Sequence, residues 1–172
     1  RPGPRFNLTH ADGLALVAVS LDREVGVDVE RVREIGSLRA LADHCFSPAE
    51  RLALEAIAGP QRLQAAFAGW TRKEAFLKVL GEGLARPLDS FDVTLVPGEP
   101  FRLLRVDDAP EAPGRYTLRA VRPAPGYIGA VAVDGPGAAT AGPLLGELKT
   151  RAGSVLDEEA LAEALETGRL GG

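Results

Sequence analysis

Residues 61–81 read QRLQAAFAGWTRKEAFLKVLG. Leu63, Ala66, Phe67, Trp70, Leu77 and Leu80 recur at three- and four-residue spacing, which lines one face of an α-helix, and Gly81 supplies a C-terminal stop. Glu74 lies four residues after Trp70, seven after Phe67 and three before Leu77, so it falls on the apolar stripe. An ionised carboxylate in that position needs a cation, because removing it from water is costly or drives its pKa upward. Lys78, one turn further on, is a candidate partner, and Lys73 flanks the same place. The chain has only three lysines, Lys73, Lys78 and Lys149, so two of them five residues apart stand out against its many arginines.

Working towards the N-terminus, Gly59-Pro60 separates this helix from another. Ser47-Pro48-Ala49-Glu50 is a capping box with proline at the first helical position, which predicts a helix from Pro48 to Ala58. Ser37 to Cys45 is weakly helical. Val25-Gly26-Val27-Asp28-Val29-Glu30 alternates strictly and predicts a strand, as does the apolar run Leu14 to Ser20; the turn-like Leu21 to Glu24 between them suggests a hairpin. The two-residue period puts the three valines on one face and Gly26, Asp28 and Glu30 on the other. Two readings of that acidic face stand: a solvated outer surface, or oxygen ligands for a hard cation such as Mg²⁺. Phe6-Asn7-Leu8-Thr9-His10 precedes a glycine-containing turn, where His10 is either a surface histidine or a phosphate ligand at a cleft mouth.

Towards the C-terminus, Phe91 to Val96, Phe101 to Val106, Arg115 to Val121 and Tyr127 to Val133 are strand-like and separated by Pro/Gly/Asp turns, the pattern of an antiparallel sheet. The class is α+β. Residues 135–146, rich in Gly, Ala and Pro, read as a linker, followed by a short amphipathic helix from Val155 to Thr167 that serves packing or nothing. With 172 residues and 45% apolar side chains the chain can bury an ordinary core. The single Cys45 excludes a disulfide framework and points to a reducing, cytoplasmic setting. No apolar run reaches the roughly 18 to 20 residues of a membrane span, and residues 1–4 lack the apolar core of a signal peptide. A net charge of −4 argues against a nucleic-acid binder. The chain contains no Met and opens on Arg, so sequence upstream is expected.

Three segments together carry a resemblance: Phe6-Asn7-Leu8-Thr9-His10, Gly26-Val27-Asp28-Val29-Glu30, and Trp70-Thr71-Arg72-Lys73-Glu74-Ala75-Phe76-Leu77-Lys78. In order and approximate spacing they resemble the 4′-phosphopantetheinyl transferases, in particular the larger, surfactin-synthetase-activating class. The resemblance continues through Gly81-Glu82-Gly83-Leu84, Pro87-Leu88-Asp89-Ser90-Phe91 and Pro125-Gly126-Tyr127. It implies transfer of the phosphopantetheine arm of coenzyme A onto a serine of an acyl or peptidyl carrier protein, with release of 3′,5′-ADP. Asp28, Glu30 and Glu74 would hold Mg²⁺, or Mn²⁺ on the same ligands. Thr9, His10, Lys73 and Lys78 would contact coenzyme phosphates. Glu74 would be the base for the incoming hydroxyl, and Lys78 would assist the leaving group.

The resemblance also implies two similar α+β lobes. Residues 1–24 would be a remnant of the first, residues 25–134 the second lobe with its antiparallel sheet packed on the long helix, and residues 135–172 a linker and tail. The family's Ser-His-Ser stands here as Thr9-His10-Ala11, without the hydroxyl after the histidine. Asp89-Ser90 imitates a carrier's acceptor dipeptide but reads as the start of a strand. The alternatives are a non-catalytic, carrier-binding fragment of such an enzyme, or a metal-dependent phosphohydrolase using the same acids.

Overall fold

The computed structural model describes residues 4–81, 86–96 and 98–136, all within one compact unit, Arg1–Thr140. Strands β1 (Arg5–Ala11) and β2 (Leu14–Ser20) form an antiparallel hairpin. Its two turn residues, Asp12 and Gly13, have φ of 43° and 84°, the left-handed values that let a two-residue loop follow the strand twist, and Asp-Gly tolerates them well. The segment containing Thr9 and His10 is therefore a strand, and β2 pairs with it rather than with residues 25–30. Nor is β2 buried: its side chains alternate between exposed and partly covered.

Strand β3 (Val25–Arg31) instead takes β7 (Tyr127–Asp134) as its antiparallel partner, Val25 opposite Val133 through Arg31 opposite Tyr127. Every residue from Val25 to Asp28 is buried, as is Val29, so neither face of this strand is open. The reading of Gly26, Asp28 and Glu30 as a solvated face falls with that observation.

Helix α1 (Leu38–Cys45) starts at Ser37, whose hydroxyl accepts from the Ala40 amide at 3.1 Å. Helix α2 (Pro48–Ala56) has the expected reciprocal cap: Ser47 Oγ accepts from the Glu50 amide and Glu50 Oε2 from the Ser47 amide. It stops two residues earlier than read from sequence because Ile57 turns extended.

Helix α3 (Gln61–Leu80) ends on Gly81 at φ 69°. The single apolar stripe read from its spacing is too narrow a description. Thr71, Arg72, Lys73, Ala75, Phe76, Leu77 and Val79 are all buried, so the second half of the helix is enclosed on most sides. Phe76, off the expected stripe, packs its ring against Phe91 and Tyr116 with centroids 5.0 and 5.1 Å away.

The C-terminal strands are β4 (Phe91–Val93), β5 (Leu103–Val106) and β6 (Tyr116–Val121), with a helical turn α4 (Ala112–Arg115) before β6. They do not join one sheet. β3, β7 and β6 make a three-stranded antiparallel sheet in that order, while β4 and β5 pair separately. The register shifts between Asp92 and Val93; beyond it the Thr94 amide still donates to Arg102 O, while the Thr94 hydroxyl donates to Pro100 O and accepts from the Arg102 amide. That is why both strands are shorter than their apolar runs. The architecture is α+β, with α3 packed on β3 and β7. Among the described residues no helix is long and apolar enough to cross a membrane. The turn residues 82–84, the linker beyond residue 136 and the tail helix at 155–167 lie outside the described residues.

Candidate active site

Gly26, Asp28 and Glu30 share the face of β3 that looks onto α3. The helix lies so close that a Cβ on Gly26 would stand 2.2 Å from Ala75 O and 2.5 Å from the Val79 amide. Only glycine permits that approach. It brings the last two turns of α3 against the acidic strand. Lys78 Nζ donates to Asp28 Oδ1 at 2.8 Å and to Val27 O at 2.9 Å. The cation paired with Asp28 is thus Lys78, not one reserved for Glu74 as the helical spacing suggested.

The same carboxylate oxygen is also held from the hairpin. Thr9 Oγ1 donates to Asp28 Oδ1 at 3.2 Å, and two residues earlier on the same strand face Asn7 Oδ1 accepts from the Val27 amide at 2.9 Å. Val27 therefore has both outward backbone groups satisfied by side chains, one from β1 and one from α3. This closes a strand edge without a further strand. Asp28 Oδ2, buried, has no hydrogen-bond partner among the described residues.

The electrostatics centre on Asp28. Burial pushes its carboxyl above the ordinary 3.8, outweighing the Lys78 charge and the hydrogen bonds from Lys78 and Thr9. Burial also raises Glu30 and Glu74 above 4.5, and for both the Asp28 charge is the next cause. Arg33, 3.6 Å from Glu30, acts against this at one end; Lys78 and a hydrogen bond from Trp70 do so at Glu74. The Asp28 charge thus disfavours ionisation of both Glu30 and Glu74, while Lys78 pairs with Asp28 and Arg33 with Glu30.

The donor set suits a hard divalent cation: oxygen ligands only, with one carboxylate oxygen lacking any partner. Among the described residues, however, no three acidic, His or Cys side chains are gathered tightly enough to hold an ion by themselves. An ion held here would need water or substrate oxygens beside the carboxylates.

The remaining expected residues separate. Successive strand residues point to opposite faces, so Thr9 is buried, 8% exposed, while His10 is exposed on the hairpin's other face. Lys73 is not beside the acids. Fully buried, it pairs with Glu50 at 2.6 Å, donates to Leu88 O and Phe91 O, and sits over the Phe91 ring. Residues adjacent on a helix diverge by about 100°, which sends Lys73 into the core when Glu74 faces β3. Its expected contact with a coenzyme phosphate is corrected on this ground. Asn7, Trp70 and Glu50 are site or support residues that sequence reasoning misses. Asn7 is findable, because it shares a strand face with Thr9.

A family model described as the 4′-phosphopantetheinyl transferase superfamily matches residues 24–132. The 4′-phosphopantetheinyl transferase HetI of Nostoc sp. (strain PCC 7120) is 37% identical over 135 residues, 78% of this chain and 54% of its own length. The 4′-phosphopantetheinyl transferase of Bacillus subtilis is 35% identical over 94 residues, 55% of this chain and 41% of its own. AcpT of Escherichia coli K12 is 40% identical over 90 residues, 52% and 45% respectively. The chain thus spans about half the length of the curated relatives it matches. With more than half of its residues under the family model, spanning both the β3 acids and the Lys73-Glu74 helix, the chain belongs to the 4′-phosphopantetheinyl transferase superfamily.

Proposed function

We propose that this chain is the metal-binding lobe of a phosphopantetheinyl transferase of the larger, two-lobed class, moving the phosphopantetheine arm of coenzyme A to a carrier-protein serine. The observation that carries the reading is Asp28 itself, its Oδ1 held by Lys78 and its Oδ2 without a hydrogen-bond partner among the described residues, with its charge acting on both Glu30 and Glu74. Asp28 would be the principal ligand of a Mg²⁺ or Mn²⁺ ion, with Glu30 and Glu74 completing the protein's share. When bound, the ion supplies charge neutralisation at the coenzyme pyrophosphate.

Glu74 is the acceptor for the serine proton, directly or through a water. Burial and the nearby Asp28 charge raise its pKa, which makes it a better base than an exposed carboxylate. The serine Oγ–P bond forms as the P–O bond of the pyrophosphate breaks, and 3′,5′-ADP leaves with the electron pair. Lys78 faces that departing phosphate with a charge held in place by Val27 O and Asp28. Such displacement depends on positioning and charge neutralisation more than on covalent chemistry by the protein. His10, exposed on the hairpin, is available to a coenzyme phosphate.

A second lobe is supported by the outer face of the hairpin, where Val17 and Val19 stand 38% and 49% exposed, an apolar surface of the sort another body covers. Residues 1–24 would belong to that lobe and 25–134 to this one, in a cytoplasmic enzyme.

The test is product analysis. Incubation with coenzyme A, Mg²⁺ and an apo carrier protein should release 3′,5′-ADP in step with carrier modification. Release of phosphopantetheine to water without a carrier would support the phosphohydrolase instead, and no release by a folded protein would support a non-catalytic carrier-binding role.

A further inference from the structure

The hairpin reaches the site through two side chains on one face of β1. Asn7 takes the Val27 amide, and Thr9 donates to Asp28 Oδ1. Lys78 donates to the same Oδ1. Both donors therefore crowd one carboxylate oxygen, and Oδ2 is left without a partner. A carboxylate fixed through one oxygen by two donors from different elements has lost its rotational freedom about χ2, with the other oxygen held in a set direction. Thr9 also stands on the opposite strand face from His10, the hairpin residue exposed to solvent.

We infer that Thr9 is a positioning residue for Asp28 rather than a coenzyme ligand: its hydroxyl, working with Lys78, occupies Oδ1 so that Oδ2 is presented to the divalent cation. The inference rests on the reading of Asp28 as a metal ligand. The sequence preference it implies is for a hydroxyl at position 9, serine or threonine, whichever residue stands at position 11. It also gives the hairpin a part in metal binding that does not depend on touching the ion, because displacing β1 would free Asp28.

Mn²⁺ serves as the probe, its binding to the chain read from the free-ion electron paramagnetic resonance signal without coenzyme. Thr9→Val, close to isosteric, should weaken Mn²⁺ binding about tenfold, the scale of one hydrogen bond to a charged group. The urea midpoint serves as the control for folding. Thr9→Ser should restore the wild-type affinity. Calorimetric titration of coenzyme A in the presence of a chelator should be unchanged by Thr9→Val and weakened by His10→Ala. Should Thr9→Val fail to fold, Thr9→Ala, which removes the hydroxyl without demanding space, is read in its place. Unchanged Mn²⁺ affinity in the folded variant would overturn the inference, as would loss of metal-free coenzyme binding on removal of the hydroxyl. Asp28→Asn separates the two levels. If it abolishes Mn²⁺ binding while Thr9→Val leaves it intact, only the role of Thr9 fails; if it too leaves binding intact, the metal site fails and the role of Thr9 with it.

Discussion

Lys78 is the residue on which the site turns, since one ammonium group caps the Val27 carbonyl and balances Asp28. Its replacement by Met should lower stability by about 1.5 to 3 kcal/mol, the range for hydrogen bonds to charged groups, read from urea denaturation. The acids around it predict an inverted pH response. Burial raises Asp28, Glu30 and Glu74 above their ordinary values of 3.8, 4.5 and 4.5. The folded chain then holds more protons than the unfolded one just above those values, so stability falls as pH rises through that window. Without divalent metal the chain should melt higher at about pH 5 than at about pH 7.5. Mg²⁺ or Mn²⁺ should raise the melting temperature more at the higher pH, where the carboxylates are free to ligate. A larger metal effect at the lower pH would contradict the assignment.

The acids are legible in the sequence because a two-residue period and an apolar-stripe position are local facts. The place of Lys73 is not: its position beside Glu74 hides the fact that neighbouring helical residues face different surroundings. Sequence finds Thr9 but not its hydrogen bond to Asp28, since a strand's alternation says which residues share a face but not what that face meets.

At the level of elements, the approach of α3 to β3 is set by the absence of a side chain at Gly26. Ala75 O and the Val79 amide are backbone atoms and cannot rotate away, so Gly26→Ala should cost about 3 kcal/mol or force the helix outward, by the scale of core overpacking. Urea denaturation would show the former and loss of Mn²⁺ binding the latter. The Glu50–Lys73 pair ties α2 to α3 and β4, with Glu50 Oε1 also accepting from the Val93 amide at 2.8 Å. Lys73→Met should cost about 3 to 5 kcal/mol, as removal of one partner from a buried pair does. In whatever fraction remains folded, Mn²⁺ affinity should be retained, because Lys73 does not face the acids.

The capping box and the Gly81 stop let α2 and α3 be read closely from sequence. The hairpin is misassigned from sequence although Asp12-Gly13 is a strong two-residue turn signal, because Leu14 to Ser20 lies next in the chain to residues 25–30. β3 takes β7 instead, a non-local pairing that no periodicity encodes. Its Gly26-Asp28 face lies against α3.

Across the whole molecule, the three-stranded sheet and α3 form a frame that the hairpin closes from one side, Tyr127 donating its hydroxyl to the Asp12 carbonyl at 2.7 Å where β7 meets the turn. The frame brings the acidic strand against the end of the helix that carries Lys78, and family membership makes phosphopantetheinyl transfer the chemistry to test there. The direct measurement is the intact mass of an apo carrier protein incubated with coenzyme A, Mg²⁺ and this protein. The carrier should gain one phosphopantetheine group, and the gain should disappear with Glu74→Gln, with Asp28→Asn or when the metal is withheld. No gain with any of several carriers, or a gain that persists in both variants, would contradict the account.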